Sequence, residues 1–190
     1  KELALEGKFV AIFGGVIGIA QELEFLLDLA ALYRGRADVV FLVVGAGNRK
    51  AKIEESARDR GLQNVVFMDM ISAADFADLV RQCDLGLVNL ARRFTIPNFP
   101  SKVLDYFEAS KPVLAALDAA TDFGAMLDEV GAGLWCLTGD LDAYQALFER
   151  LMGDSKLRVD MGRRGREHLQ AHWTVERAYE IIARHFTETG

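Results

Sequence analysis

Six short runs of apolar, often β-branched residues recur along the chain, each followed by a stretch with helical spacing. This alternation constrains the fold more than any other feature. The runs are KFVAIFGG at 8–15, DVVFLVVG at 38–45, NVVFMD at 64–69, DLGLVNL at 84–90, KPVLAAL at 111–117 and GLWCLT at 133–138. They are near-continuous in apolar character, as strands covered on both faces are. Helical spacing is expected between them over 20–34, 49–60, 73–82, 101–109, 121–130 and 140–152. Strands alternating with helices imply βαβ units, a parallel sheet and right-handed crossovers. Two more helical segments, 155–170 and 174–186, follow with no strand after them. The expectation is a single α/β, Rossmann-like domain over 1–190, with about six parallel strands, helices on both faces and a C-terminal helical tail over 154–190.

Composition narrows the class of function. With 51% hydrophobic residues and 26% charged, the 190-residue chain can bury one substantial core. A formal net charge of −6 argues against a general nucleic-acid binder, which carries an excess of Lys and Arg. The two cysteines, Cys83 and Cys136, lie inside apolar runs and read as buried small hydrophobes in a reducing compartment. No run approaches the ~20 apolar residues of a membrane span, and Lys1-Glu2 begins no signal peptide. A cytoplasmic protein is expected.

In sheets of this kind ligands bind beyond the carboxyl ends of the strands. The first such loop, Gly14-Gly15-Val16-Ile17-Gly18, can bring backbone close to a phosphate, or can serve as a plain tight turn. The second, Gly45-Ala46-Gly47-Asn48-Arg49-Lys50, offers Gly-x-Gly after a strand, but Lys50 stands where a dinucleotide fingerprint needs its third glycine. Asp69, ending the third run, is placed about where a ribose-binding acid would be.

The most informative stretch is Pro100-Ser101-Lys102-Val103-Leu104-Asp105. Ser101 is a suitable N-cap, yet Leu104 occupies the position where a capping-box Glu would fold back. Open first-turn amides and the Lys102 cation together suit a diphosphate. Asp105, one turn on, can accept two hydroxyl hydrogen bonds as a ribose presents them. Val103, Leu104 and Phe107 are expected on the buried side. On spacing alone, a capped helix with a surface Lys–Asp pair accounts for the same residues.

Other features favour structural roles. Asp140-Leu141-Asp142 fits an N-cap and a first-turn acid better than a metal-bridged nucleotide site. His168, His172 and His185 all fall in the terminal helices, which disfavours a His triad or a His-rich metal site. There is no Gly-x-Ser-x-Gly elbow and no Walker lysine motif. Trp135 is expected in the core. Arg92-Arg93 could approach a phosphate or form a solvated basic pair.

The order of elements, and above all PSKVLDY at 100–106 followed by SKPV at 110–113, resembles the C-terminal half of a GT-B glycosyltransferase. The similarity is to the large retaining group called family 4, and within it to bacterial enzymes that build surface polysaccharides. FGGVIGIAQELEFLLDLAALY, VVGAGNRKAKIEE, NVVFMDMISAADFADLVRQCDLGLVNL, GAGLWCL and the terminal MGRRGREHLQAHWTVERAYEIIARHF fit the same pattern. The resemblance implies a domain that holds a nucleoside diphosphate sugar, with UDP as the expected nucleotide. It also implies a separate N-terminal acceptor-binding domain, absent from this sequence, so the chain would be an inactive donor half. It implies further a lipid-linked or glycan acceptor, a peripheral place at the inner membrane face for the full enzyme, and no metal or other cofactor. Carried onto this sequence, Asp105 would hold the ribose. The backbone at Ser101, Lys102 and Val103 would meet the diphosphate, Gly14 and Gly15 the same phosphates, and backbone around Met68 and Asp69 the base.

This chain departs from that pattern. The first acid of the family's spaced pair, which contacts the transferred sugar, falls at Pro97. The arginine and lysine that many relatives carry after the first strand are missing, with Val16, Ile17 and Ala20 in their neighbourhood. Lys102 with Arg92 or Arg93 is then the expected source of positive charge. Tyr106 and Ser110 stand where small residues are more usual. Weak donor binding or a divergent sugar would follow. Two alternatives remain open: an NAD-dependent oxidoreductase or epimerase using the Gly45/Gly47 loop, and a GT-B-like scaffold without catalysis.

Overall fold

The computed structural model describes residues 5–93, 99–174, 177, 179 and 183. Six strands, β1 (Phe9–Val16), β2 (Val39–Ala46), β3 (Val65–Met68), β4 (Leu85–Asn89), β5 (Val113–Leu117) and β6 (Gly133–Leu137), form one parallel sheet in the order β3-β2-β1-β4-β5-β6. That is the doubly wound order, and the chain changes direction across the sheet between β1 and β4. The expected class and all six strands are observed.

Side-chain alternation distributes each strand between two cores. Val10 and Ile12 enter one cluster while Ala11 and Phe13 enter the other. The first core joins the sheet to α1 (Leu23–Leu32), α2 (Lys50–Asp59) and α6 (Leu141–Gly153). The second joins it to α3 (Ala73–Gln82), α4 (Val103–Glu108) and α5 (Phe123–Val130). With both faces covered, every β2 residue from Val39 to Gly45 is buried, which is why that run shows no polar period.

The long helix α7 (Ser155–His172) closes the second face by packing on α4. Gly162 and Gly165 permit the approach, because a Cβ at either would overlap the Ser110 carbonyl or the Phe107 ring. A helix expected over 174–186 lies almost wholly outside the described residues. The segment expected to be helical from residue 20 opens instead as a short 3-10 turn, Ile19–Gln21. Glu22 then adopts a left-handed conformation (φ 41°), and its carboxylate accepts the Arg92 N–H at 2.7 Å.

Candidate functional site

Strands β1 and β4 pair only as far as Phe13 and Leu87. Beyond that point the two chains diverge, one toward β2 and the other toward β5, and a cavity of about 300 Å3 opens between their loops. Gly14, Gly15 and Val16 form one wall and Pro100, Ser101 and Lys102 the other. Asn89 and Leu90, where β4 ends, also line it, and Phe99 and Met70 stand at its side. The cavity therefore brings together four residues that sequence reasoning placed at a phosphate: Gly14, Gly15, Ser101 and Lys102.

Where the two strands diverge, Tyr106 joins backbone groups of both. Its fully buried hydroxyl accepts the Gly14 N–H at 3.1 Å and lies 3.2 Å from the carbonyl oxygens of Ile12 and Leu87. Burial raises the phenol's pKa, so it remains a protonated donor. Two glycines make room: a Cβ at Gly86 would overlap the Tyr106 ring, and one at Gly14 the Phe76 ring. The bulk at 106, unusual for the pattern the sequence resembles, is thus matched by its neighbours. Gly15 has φ +133°, a conformation for which glycine is suited.

The entry to α4 differs from expectation. Ser101 is not the N-cap; Lys102 holds that position without a side-chain capping bond. The Val103 and Leu104 amides donate to the carbonyls of Pro100 and Ser101 at 3.0 and 3.1 Å, so these two first-turn amides are occupied by a tight turn. Among the described residues, the amides of Ser101 and Lys102 have no such backbone acceptor. Leu104 is exposed rather than buried, because the helix presents Val103, Tyr106 and Phe107 to the core at i, i+3 and i+4. The Lys102 ammonium donates to Asp105 Oδ2 at 3.0 Å and stands 4.7 Å from the centre of the Phe76 ring. The expected Lys–Asp pair is therefore formed; Lys102 lines the cavity and Asp105 does not.

A family model described as glycosyl transferases group 1 matches residues 1–168. The chain belongs to the group 1 glycosyltransferases. It is 28% identical over 123 residues to WcaI of Escherichia coli K12, which carries the name of a colanic acid biosynthesis glycosyl transferase; the match covers 65% of this chain and 30% of WcaI. The chain spans about a third of the length of the curated relatives it matches. Its fold matches the C-terminal domain of the Francisella tularensis group 1 protein LpcC with a TM-score of 0.72, 16% identity and coverage of 89% and 88% of the two chains. It matches Anabaena HepE, whose structure was determined in complex with UDP, with a TM-score of 0.82 and 17% identity, over 97% of this chain and 50% of HepE.

The remaining residues singled out in this group 1 glycosyltransferase chain are spread around the same edge of the sheet. Met68 ends β3 and Asp69 follows it, and the Lys50 ammonium binds both the Met68 carbonyl, at 3.0 Å, and the Asp69 carboxylate. Asp69 is 96% exposed, and its pKa is lowered by the hydrogen bond and charge of Lys50. Neither residue lines the cavity; Met70, the next residue, does. Arg92 and Arg93 also lie outside it, in a neighbouring crevice with Glu22 and Glu24, where the Arg92 guanidinium donates to the Thr138 carbonyl at 3.1 Å. Pro97 lies outside the described residues.

The glycines of the second loop serve packing. A Cβ at Gly45 would overlap the Gly15 carbonyl, and one at Gly47 the Ile17 carbonyl. They lock the second loop against the first, which counts against a dinucleotide site there. Asp140 is an N-cap, accepting the Ala143 N–H at 3.0 Å. Trp135 is half-buried, with its indole N–H on Asp128 at 2.9 Å. His168 and His172 lie on α7, and His185 is outside the described residues. Among the described residues no group of three or more metal-ligating side chains occurs, and no helix is long and apolar enough to cross a membrane.

Sequence reasoning missed Asn89, Met70 and Phe99 as lining residues. Only the position of Asn89 at the end of a strand beside the switch point could have signalled it.

Proposed function

We propose that this chain is the donor-binding part of a retaining glycosyltransferase, and that the β1–β4 cavity holds the diphosphate of a nucleoside diphosphate sugar, with UDP as the nucleotide. The observation that carries this reading is the convergence of Gly14-Gly15 and Ser101-Lys102 on one cavity at the switch point. There a close backbone, two amides without backbone acceptors among the described residues and a cation meet. Family membership and the fold shared with the UDP-bound HepE chain support it.

In this reading Lys102 and the Ser101 and Lys102 amides stabilise the negative charge that grows on the diphosphate as the glycosyl bond breaks. Asp105 accepts ribose hydroxyls with whatever capacity its bond to Lys102 leaves. The chemistry requires no metal if these groups supply the charge. The acceptor is an alcohol of a glycan or lipid-linked glycan, held by a second domain across the cavity. Val16, Ile19 and Met70 are apolar yet 60%, 72% and 63% exposed, as suits an edge that another domain covers.

Calorimetric titration with UDP, GDP, ADP and NAD tests the reading. UDP is expected to bind best. Asp105→Ala should weaken UDP by about tenfold or more, the loss of hydrogen bonds to a charged group. Because the substitution also removes a negative charge beside Lys102, inorganic diphosphate should bind Asp105→Ala no more weakly than the parent. Lys102→Ala should weaken both ligands. Preference for NAD, or unchanged UDP affinity in both variants, would overturn the assignment.

A further inference from the structure

Asn89 is the last residue of β4 and is 2% exposed, and it lines the cavity. One end of its amide is fixed. Oδ1 accepts a hydrogen bond from the Tyr144 hydroxyl at 3.3 Å, and Tyr144 is itself fully buried on α6, stacked on Phe25 with centroids 5.2 Å apart. The other end, Nδ2, is buried with no hydrogen-bond partner among the described residues. Exchanging the two ends would leave both Oδ1 and the Tyr144 proton unpaired, so the free end of the amide is the donor. The strand-end side chains beside it in the lining, Phe13, Leu87, Val88 and Leu90, are apolar and offer no acceptor.

A buried donor left over in a built cavity calls for an explanation. We infer that the Asn89 amide is a ligand-binding group of this cavity, donating from Nδ2 to an oxygen of the bound sugar nucleotide. The inference rests on the sugar-nucleotide reading above. A neutral donor among apolar strand-end side chains suits an oxygen that must be oriented more than neutralised. The same chemistry comes from a hydroxyl of the transferred sugar or from a phosphate oxygen. The role is additional to that of Lys102, which supplies charge from the opposite wall. A purely structural Asn89 would need only its Oδ1, to receive the Tyr144 proton.

Asn89→Asp keeps an acceptor for Tyr144 while removing the donor; because its carboxylate would also repel a diphosphate, the parent's own amide pair supplies the second readout, one that a purely structural Asn89 would not move. Affinities of the parent, Asn89→Asp and Lys102→Ala for UDP and UDP-glucose are compared by calorimetry. The Asn89 side-chain amide pair of the parent is followed in 1H–15N spectra during the same titrations. The inference expects Asn89→Asp to lose about tenfold or more, and the parent's amide pair to shift on saturation. Equal loss for both ligands assigns the contact to the nucleotide diphosphate; loss confined to UDP-glucose assigns it to the sugar. If Asn89→Asp fails to fold, the shift of the parent's amide pair decides alone. Parent-like affinities together with an unmoved amide pair overturn the inference, and a simultaneous loss in Lys102→Ala then leaves the sugar-nucleotide reading standing. Absence of binding by the parent overturns both.

Discussion

Replacing Tyr106 by Phe removes one oxygen and leaves the ring in its place over Gly86, so the effect isolates the hydroxyl. That oxygen is the buried partner of the Gly14 N–H and adjoins the Ile12 and Leu87 carbonyls, at 3.1, 3.2 and 3.2 Å. In the variant the Gly14 N–H is orphaned, which costs roughly 1–3 kcal/mol, and two carbonyls lose the single proton they share, worth about 1 kcal/mol more. The expected loss is therefore about 2–4 kcal/mol, a large part of the ~5–15 kcal/mol that stabilises a typical domain. For a chain of this length that is a fall in Tm of about 4–16 °C. Urea unfolding followed by circular dichroism reads the loss directly: the midpoint should fall with the slope unchanged. Because Gly14 is a cavity wall, UDP affinity should fall as well. A loss below about 1 kcal/mol would refute the reasoning, since it would mean that the diverging strands do not depend on the phenol for their polar groups.

Two further perturbations probe charge and burial. Burial pushes the Cys83 and Cys136 thiols up to about 12, so both should resist a thiol reagent at pH 8 in the native protein and react at once in urea; rapid labelling of the native chain would contradict their placement. Lys50→Met should let the Asp69 carboxyl, now held low by the Lys50 ammonium, titrate near the ordinary ~3.9 in an NMR pH series. The sign is fixed by that lowered value: whatever the pair adds to stability is present above the unfolded carboxyl pKa and is lost as pH falls through the folded one. An Asp69 titration identical in the variant would show that the pair is not formed.

The strands were legible because a strand covered on both faces needs no decoding of faces: an apolar run with β-branched residues between glycine-containing turns is enough. The helix starts were not. Residues 19–22 carry helical spacing, but the break at Glu22 is fixed by a hydrogen bond to the Arg92 amide, 70 positions away in sequence, which no local window contains. At α4 the apolar residues Val103, Leu104, Tyr106 and Phe107 allow more than one buried face. The choice of 103, 106 and 107 is made by Gly86, whose missing Cβ admits the Tyr106 ring and leaves Leu104 outside. The signal was in the sequence, but in two segments that only the fold brings together.

Four of the residues that line the cavity, Gly14, Gly15, Ser101 and Lys102, were legible for a related reason: glycines at the end of β1 and the loop that opens α4 keep their positions whatever the register of the helices. What sequence could not decide is whether Lys102 and Asp105 are an ordinary surface pair. Their side chains are 40% and 35% exposed, and such a pair contributes at most about 1 kcal/mol to stability. A contribution that small does not explain why the lysine is also held against the Phe76 ring, whose contact Gly14 makes possible. Held from two sides and facing Gly15 across the cavity, Lys102 has already lost much of its side-chain freedom before any ligand arrives. That loss weighs against folding, yet it reduces the ordering that a bound diphosphate would otherwise impose. A surface pair has no use for such restraint, whereas an anion site does. The restraint therefore separates the two readings by experiment: Phe76→Leu should leave the Lys102–Asp105 pair intact yet weaken UDP, and unchanged UDP affinity in that variant would return the pair to the ordinary surface.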